Sequence, residues 1–282
     1  MIWKESYRIG IESIDEQHKA LFDAIGKLLA AIERNDATSK EVYVETVAFL
    51  SDYVARHFRD EEAYQASIGY GGLEAHRKLH QDFTQSIAEY AKKLEETNYD
   101  IKTVMELSGA LMTWLVYHVT DVDQRIAGGL VEQSQEALKT AWSCFYENTL
   151  SVIQTMTAVN VVKMRKTPRP VVGFGGDVHV EMPLTGDVTG YVTFLYSKEF
   201  AYELLRAMAG YEPVALDEIV RSVVGEISKI IGKKAVICLA EGGRRCEVGT
   251  PVVTAEAHSV REREGFHLLT EKGEVQVLLS VV

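Results

Sequence analysis

The chain has 282 residues, of which 46% are hydrophobic, and it carries a formal net charge of −11 at pH 7. This length favours two domains, and the acidic balance argues against nucleic acid or an anionic membrane surface as a partner. The three cysteines lack metal-type spacing and predict no disulfide framework. No signal peptide opens the chain and no apolar run is long enough to span a bilayer, so we expect a cytoplasmic protein with neither a membrane nor a nucleic-acid partner.

The first half of the chain, which holds most of the acidic excess, has the pattern of a helical domain. Apolar residues recur at steps of three and four in four stripes, which begin at Ile14, Val47, Leu73 and Val104. Short polar breaks separate the stripes at 35–39, 67–72 and 97–101. Four such stripes predict an all-α antiparallel four-helix bundle over residues 1–133, preceded by an ordered arm from Trp3 to Ile11.

The second half of the chain has a mixed pattern of helices and strands. A helix is predicted over 134–163, where it either joins the domains or belongs to the second, and the sequence TPRP at 167–170 ends it because proline cannot continue a helix. Strands are then predicted at 171–181, 190–196, 246–258 and 266–282, and helices at 198–209 and 216–232. A turn at Lys272–Gly273 divides the last strand. Helices combined with such strands predict an α+β domain with an antiparallel sheet over residues 134–282.

Five histidines and one glutamate of the first half occupy stripe positions where Leu or Ile would be expected: His18, His57, Glu61, His76, His80 and His118. Asp123 follows His118 by five residues, near the end of the fourth helix. A single core histidine is usually only hydrogen-bonded, but burying the whole set without partners would cost about 1–3 kcal/mol for each group. Metal coordination removes that cost, so the set predicts a metal site inside the bundle.

The composition of this set indicates which metals fit. Five imidazoles and two carboxylates exceed the four ligands of a structural zinc site, and the set contains no thiolate for an iron–sulfur cluster. Ferritin-like di-iron bundles are instead rich in carboxylates. Seven candidate ligands suit two six-coordinate metals that share bridging ligands. Neutral donors disfavour highly oxidised iron, which points to dioxygen binding rather than strong oxidation.

The spacing of the set resembles that of the bacterial hemerythrins, with His18, H-x3-E at 57–61, H-x3-H at 76–80 and H-x4-D at 118–123. The opening W-x3-Y-x-I-G-I-x2-I-D-x-Q-H, residues 3–18, is similar to the arm of that family. The resemblance covers about residues 1–130 and implies two non-haem irons with an oxo or hydroxo bridge. It implies that one iron is bound by His76, His80 and His118. The other iron would be bound by His18 and His57, with an open position for dioxygen, and Glu61 and Asp123 would bridge both.

The second half carries a shorter motif. A Ser and a Glu on one helix face are usually solvated surface, yet the spacing Ser222-x3-Glu226-x2-Lys229-x21-Pro251 resembles the signature of the CheX and CheC chemotaxis phosphatases. That signature has Asp or Ser, Glu, Asn and Pro, and a single such helix favours CheX. The resemblance implies that Glu226 pairs with the active-site lysine of a response regulator. Lys229 stands where the family has the Asn that orients the attacking water, so we expect weak or no phosphatase activity.

These features lead to the hypothesis of a two-domain sensor, in which a di-iron bundle binds dioxygen or responds to iron redox state. The CheX-like domain would relay this by forming a homodimer or by docking a phosphorylated CheY-like response regulator. Three alternatives stay open. The first is a di-iron peroxidase or nitric-oxide-handling enzyme whose second domain only dimerises it, the second is an active aspartyl-phosphate phosphatase, and the third is plain oxygen storage.

Overall fold

A computed structural model describes residues 1, 3–128, 140–167, 177–254 and 264–281 of the chain. The chain divides into two compact units, Met1–Glu132 and Gln133–Val282. Within the described ranges, no helix combines the length and the apolar character that crossing a bilayer requires.

The first unit is a bundle of four long helices, as the stripes predicted. They are α1 (Glu12–Arg34), α2 (Ser39–Ser67), α3 (Leu73–Glu96) and α4 (Ile101–Tyr117), followed by a π-helical turn (His118–Val122) and the short α5 (Gln124–Gly128). Each helix packs against the next along the chain, and α1 also packs against α4, which closes the bundle. The buried faces carry the predicted apolar stripes, so the interior of this unit is lined by the same positions that hold the histidines.

The arm before α1 is fixed to the helix that carries His18. The backbone N–H groups of Ile9 and Gly10 donate to the two carboxylate oxygens of Asp15, at 2.9 and 3.2 Å. The rings of Trp3 and Tyr7 pack on Phe22, with ring centroids 5.5 and 5.2 Å away. Because Phe22 lies one turn after His18, the arm covers this part of α1 with aromatic surface.

The second unit packs three helices, α6 (Ala141–Thr157), α7 (Lys198–Ala209) and α8 (Glu218–Glu241), with an antiparallel sheet. The described strands are β1 (Val161–Thr167), β2 (Val178–Gly186), β3 (Gly190–Tyr196), β4 (Cys246–Val248), β5 (Val252–Thr254), β6 (Glu264–Thr270) and β7 (Gly273–Val281). Their order is β1-β6-β7-β3-β2-β4, and β5 also pairs with β2. This confirms the predicted α+β class.

Two glycines let α8 lie close to the sheet. A Cβ at Gly225 would come 3.1 Å from Val253 of β5, and one at Gly232 would come 3.0 Å from Val248 of β4 and 3.1 Å from Met182 of β2. The two positions are seven residues apart and therefore share a face. Larger side chains there would push the helix away from β4 and β5.

Several predicted bounds in this unit are wrong. Residues 134–139 of the helix expected over 134–163 lie outside the described residues. The described helix runs from Ala141 to Thr157 and ends at Ala158 in the left-handed conformation (φ 55°), and β1 follows at Val161. The strand expected at 246–258 is two short strands separated around Pro251, and α8 continues to Glu241 rather than 232. Helix α7 and strand β3 have the predicted bounds, and β6 and β7 meet at the predicted Lys272–Gly273 turn. The expected strand segments at 171–176 and 255–258 lie outside the described residues.

The expectation of no disulfide is also wrong, because Cys144 of α6 is bonded to Cys238 of α8. The two residues are 94 positions apart in the sequence, and only the packing of α6 on α8 brings their Cα atoms to 5.7 Å. Cys246 is the free cysteine of the described residues.

Candidate metal centre

The first group of potential ligands draws on two helices and the π-helical turn. Glu61 of α2, His76 and His80 of α3, and His118 at the start of the turn place one ligand-type atom each within 4.8 Å of one another. All four side chains are buried. His76 and His80 lie one turn apart on α3, and their Nε2 atoms are 3.0 Å apart. Such convergence of imidazole nitrogens and a carboxylate forms a site for a metal cation.

The second group is formed by His18 of α1, with His57 and Glu61 of α2. The rings of His18 and His57 meet edge to face with centroids 4.7 Å apart. His57 and Glu61 share a face of α2 because they are four residues apart. Since Glu61 belongs to both groups, the two groups form one continuous cluster.

Glu61 spans the cluster with its two oxygens. Its Oε1 is 3.0 Å from His76 Nε2, and its Oε2 is 3.4 Å from His80 Nε2 and 3.7 Å from His57 Nε2. A single carboxylate therefore faces the histidines of both groups, which is the position that a bridging ligand requires.

Asp123 also faces both groups. Its Oδ1 is 3.0 Å from His118 Nε2, and its Oδ2 is 3.3 Å from His18 Nε2. The π-helical turn explains the five-residue spacing, because the Asp123 N–H bonds the His118 carbonyl at 2.9 Å and residues five apart come to one face. An ordinary α-helix would turn the carboxylate away from His118.

Aromatic rings pack against two histidines of the three-histidine group. Phe58 stacks on His80 with centroids 3.7 Å apart and planes 6° apart, and Trp114 stacks on His118 at 4.2 Å. Phe83 in turn stacks on Trp114 at 3.7 Å. These contacts hold two imidazoles in fixed orientations and keep water away from them.

Burial favours the neutral form of three of these imidazoles. It lowers the pKa of His18 to about 4 and that of His57 to about 3, and it holds the pKa of His118 well below the usual histidine value. Burial also raises the pKa of Asp123 well above its usual range, assisted by the nearby charge of Glu61. Burial alone would raise the pKa of Glu61, but the nearby imidazoles of His118, His76 and His80 hold it below the usual range. Neutral imidazole is the form that binds metals.

Three polar residues that support the cluster were missed by the sequence reasoning. Gln17 Oε1 lies 2.9 Å from His57 Nδ1, Glu62 Oε1 lies 2.8 Å from His80 Nδ1, and the Gln65 amide donates to Glu61 Oε1 at 2.7 Å. Gln17 and Glu62 directly precede or follow a predicted ligand, so they lie off the apolar stripe and look like surface residues. Adjacency to His18 and Glu61, and for Gln17 its place in the opening pattern that resembles the family's arm, are the signals that could have found them.

In the second unit, Ser222, Glu226 and Lys229 share a half-buried face of α8. Lys229 Nζ donates to Glu226 Oε1 at 3.1 Å. Pro251 directly precedes β5, which touches α8 at Gly225. The structure thus keeps the motif residues of α8 together and pairs two of them with each other.

The buried cluster of histidines and carboxylates places the first unit in the class of metal-binding four-helix bundles. Comparison with known proteins agrees, since residues 9–128 match the Hemerythrin HHE cation binding domain and residues 178–270 match the Chemotaxis phosphatase CheX family. The chain therefore belongs to the hemerythrin family and joins this metal-binding domain to a CheX domain.

Individual proteins are similar to parts of this chain. A bacteriohemerythrin of Stenotrophomonas maltophilia is 32% identical over 128 residues, which cover 45% of this chain and 79% of that protein. A myohemerythrin of Theromyzon tessulatum is 30% identical over 128 residues, covering 45% of this chain and 92% of that protein. Among solved structures, the chemotaxis protein CheX of Vibrio vulnificus has 22% identity and a TM-score of 0.45, covering 52% of this chain and 100% of that one.

Proposed function

We propose that this protein holds two non-haem irons in its hemerythrin domain, binds dioxygen there reversibly, and passes this state on through its CheX domain. The observation that supports the proposal most is the convergence of two histidine groups on one shared carboxylate, Glu61. Two overlapping groups with a common member suit two metal ions with a bridging ligand better than one ion.

In this proposal each ligand has a distinct place. The first iron is held by three imidazoles from α3 and the π-helical turn, His76, His80 and His118. The second iron is held by His18 and His57. Glu61 and Asp123 would bridge the pair, because the carboxylate oxygens of each lie near histidines of both groups. The asymmetry of three histidines against two leaves the second iron with the open position for dioxygen.

The unpaired atoms of the cluster fit this assignment. Several fully buried atoms within the described ranges have no hydrogen bond: His18 Nε2, His57 Nε2, Glu61 Oε2 and both carboxylate oxygens of Asp123. Leaving so many buried polar groups unsatisfied would cost several kcal/mol in total, at about 1–3 kcal/mol for each. Metal ions would satisfy all of them together, since every one of these atoms faces the interior of the cluster.

The surrounding side chains favour binding over turnover. Turnover of bound dioxygen needs protons, which a positioned acid or base supplies. Among the described residues, the extra polar group that touches Glu61 is the carboxamide of Gln65, which is neutral and cannot deliver a proton. Phe58 and Trp114 exclude water from the three-histidine side. A di-iron peroxidase or nitric-oxide-handling enzyme stays as the alternative.

For the second domain we propose a relay role that depends on docking rather than hydrolysis. The match to the CheX family supports a phosphorylated CheY-like response regulator as the partner. The Glu226–Lys229 pair supports weak or no phosphatase activity, since the glutamate is already engaged within its own helix. We further propose that the domains extend over residues 1–133 and 134–282, and that the second forms the homodimer.

The optical spectrum of the iron-loaded protein tests the metal-binding half of this proposal. Reduced protein should be nearly colourless, should gain a visible charge-transfer band on exposure to air, and should lose it again when oxygen is removed. Repeated cycles without loss of the band would support reversible binding. Rapid consumption of peroxide with a reducing co-substrate would instead favour the enzyme.

A further inference from the structure

We propose that Glu62 is a positioning residue that makes the three-histidine position the tighter of the two metal positions, whereas the neutral Gln17 leaves the two-histidine position the weaker. The inference rests on the proposed function, because it requires that the cluster binds two metal ions. It concerns residues outside the predicted ligand set, and it assigns a difference between the two halves of the site.

Glu62 lies between His80 and Arg77 and contacts each of them with one carboxylate oxygen. Its Oε1 is 2.8 Å from His80 Nδ1, while its Oε2 accepts from Arg77 Nε at 3.2 Å. Arg77 also donates to the exposed Glu74 at 2.6 Å. The carboxylate is therefore clamped between an imidazole and a guanidinium, and the ring it contacts is fixed by Phe58 on its face.

This contact determines which nitrogen of His80 faces the cluster. An ionised carboxylate can only accept a hydrogen bond, so the proton of His80 must be on Nδ1. Its Nε2, which lies 3.4 Å from Glu61 Oε2, then presents a lone pair to the interior. A carboxylate on the outer nitrogen also makes the imidazole a stronger donor to a metal.

The other half of the site has the same geometry with a different charge. His57 Nδ1 lies 2.9 Å from Gln17 Oε1, and Gln17 Nε2 donates to Asp60 Oδ2 at 3.0 Å. The bond to Asp60 determines the orientation of the amide, because only the Nε2 group can donate to a carboxylate. His57 therefore presents the same tautomer as His80, but next to a neutral oxygen.

One further imidazole in each half has no partner on its outer nitrogen in the described part of the chain. The Nδ1 atoms of His18 and His76 are buried and have no hydrogen bond within the described residues. In the two-histidine half, then, neither histidine has a carboxylate on its outer nitrogen, whereas His80 in the three-histidine half does. The larger number of histidines and the carboxylate of Glu62 both favour tighter metal binding at the three-histidine position.

The test is a metal titration of the metal-free protein with Co²⁺ in competition with a chelator, followed by visible absorption. Wild type should fill in two steps of different affinity. Glu62→Gln should weaken the tighter step by about 10–100-fold, the usual effect of losing such a supporting contact. The weaker step serves as an internal control, because general damage to the bundle would weaken both steps.

Matched variants separate the contact from the surface charge. Glu74→Gln removes another acid that contacts Arg77 but touches no histidine in the described structure, and it should leave both steps unchanged. Arg77→Gln should release the clamp and weaken the tighter step by a smaller factor, which gives a second route if the Glu62 variant does not fold. If the Glu62 and Glu74 variants bound Co²⁺ with the same two affinities, the inference about Glu62 would be wrong, while the proposed function would be unaffected. Failure of wild type to bind any Co²⁺ would instead count against the proposed function.

Discussion

Lys229 Nζ contacts both carboxylate oxygens of Glu226, at 3.1 and 3.2 Å, within a single turn of α8. Both side chains are partly exposed, so the pair contributes little to stability. The pair matters because it determines whether Glu226 is available to a partner protein. A glutamate that is paired with its own lysine is less free to pair with a lysine on another protein, and an ammonium cannot accept a hydrogen bond from a water molecule.

We therefore expect wild-type protein to accelerate the dephosphorylation of an aspartyl-phosphorylated response regulator weakly or not at all. Lys229→Asn should increase the rate, since it frees Glu226 and introduces a carboxamide that can both donate to and accept from a water molecule. Phosphate release from the cognate regulator measures both. Lys233→Asn, on the same helix, is the matched control and should leave the rate unchanged. Strong acceleration by wild type would show that this explanation of position 229 is wrong.

The buried histidines predict a pH dependence for the metal-free bundle. Burial lowers the pKa of His18 to about 4 and that of His57 to about 3, whereas both titrate near 6.5 in an unfolded chain. Below pH 6.5 the unfolded state binds protons that the folded state does not, so the free energy of unfolding should fall as the pH is lowered from 6.5 toward 4. The slope is about 1.4 kcal/mol per pH unit for each histidine.

Urea unfolding of the metal-free protein at several pH values measures this slope. His18→Gln should give a shallower slope, because one of the titrating groups is gone. Bound metal should extend the stable range to lower pH, since a coordinated imidazole cannot take up a proton. Unchanged stability of the metal-free protein between pH 6.5 and 4.5 would contradict the expectation.

The disulfide gives a prediction for the second unit. Cys238→Ala should lower its free energy of unfolding by about 2–4 kcal/mol, because the bond closes a long loop between α6 and α8. Dithiothreitol should make wild type behave like this variant, while Cys246→Ala should behave like wild type. Mass spectrometry under non-reducing conditions is the direct check, and three free thiols in the purified protein would rule the bond out.

The sheet of the second unit predicts a homodimer. In the described sheet, β1 lies at one edge and β4 and β5 lie toward the other, and exposed edge strands tend to pair or to be covered. Light scattering on the full chain should give about twice the chain mass of 31.5 kDa. A single chain mass across a wide concentration range would contradict this prediction.

The sequence was most informative where one physical signal dominated. The bundle could be predicted because its apolar stripes repeat at helical spacing, and the histidines were noticeable because they occupied positions of Leu or Ile. By contrast, Gln17 and Glu62 act through a nitrogen on the outer side of a ring. No periodicity distinguishes such residues from solvated surface.

The misplaced elements of the second unit have local causes. α6 ends at Ala158 in a left-handed conformation, without the Gly or Pro that usually signals a helix end. β1 contains Lys and Arg between its apolar residues, so its strand pairing with β6 depends on tertiary contacts rather than on a clear alternation. The π-helical turn was likewise not predicted, although the five-residue interval between His118 and Asp123 is the trace it leaves in the sequence.

The most direct test of the central claim is the iron content of protein purified from iron-replete cells, measured by elemental analysis against protein concentration. We expect two irons per chain, and a large loss of iron when His76 or His118 is replaced by Ala, because the remaining buried ligands lose their common partner. A single metal ion per chain, or zinc in place of iron, in protein with all seven predicted ligands intact would contradict the di-iron assignment.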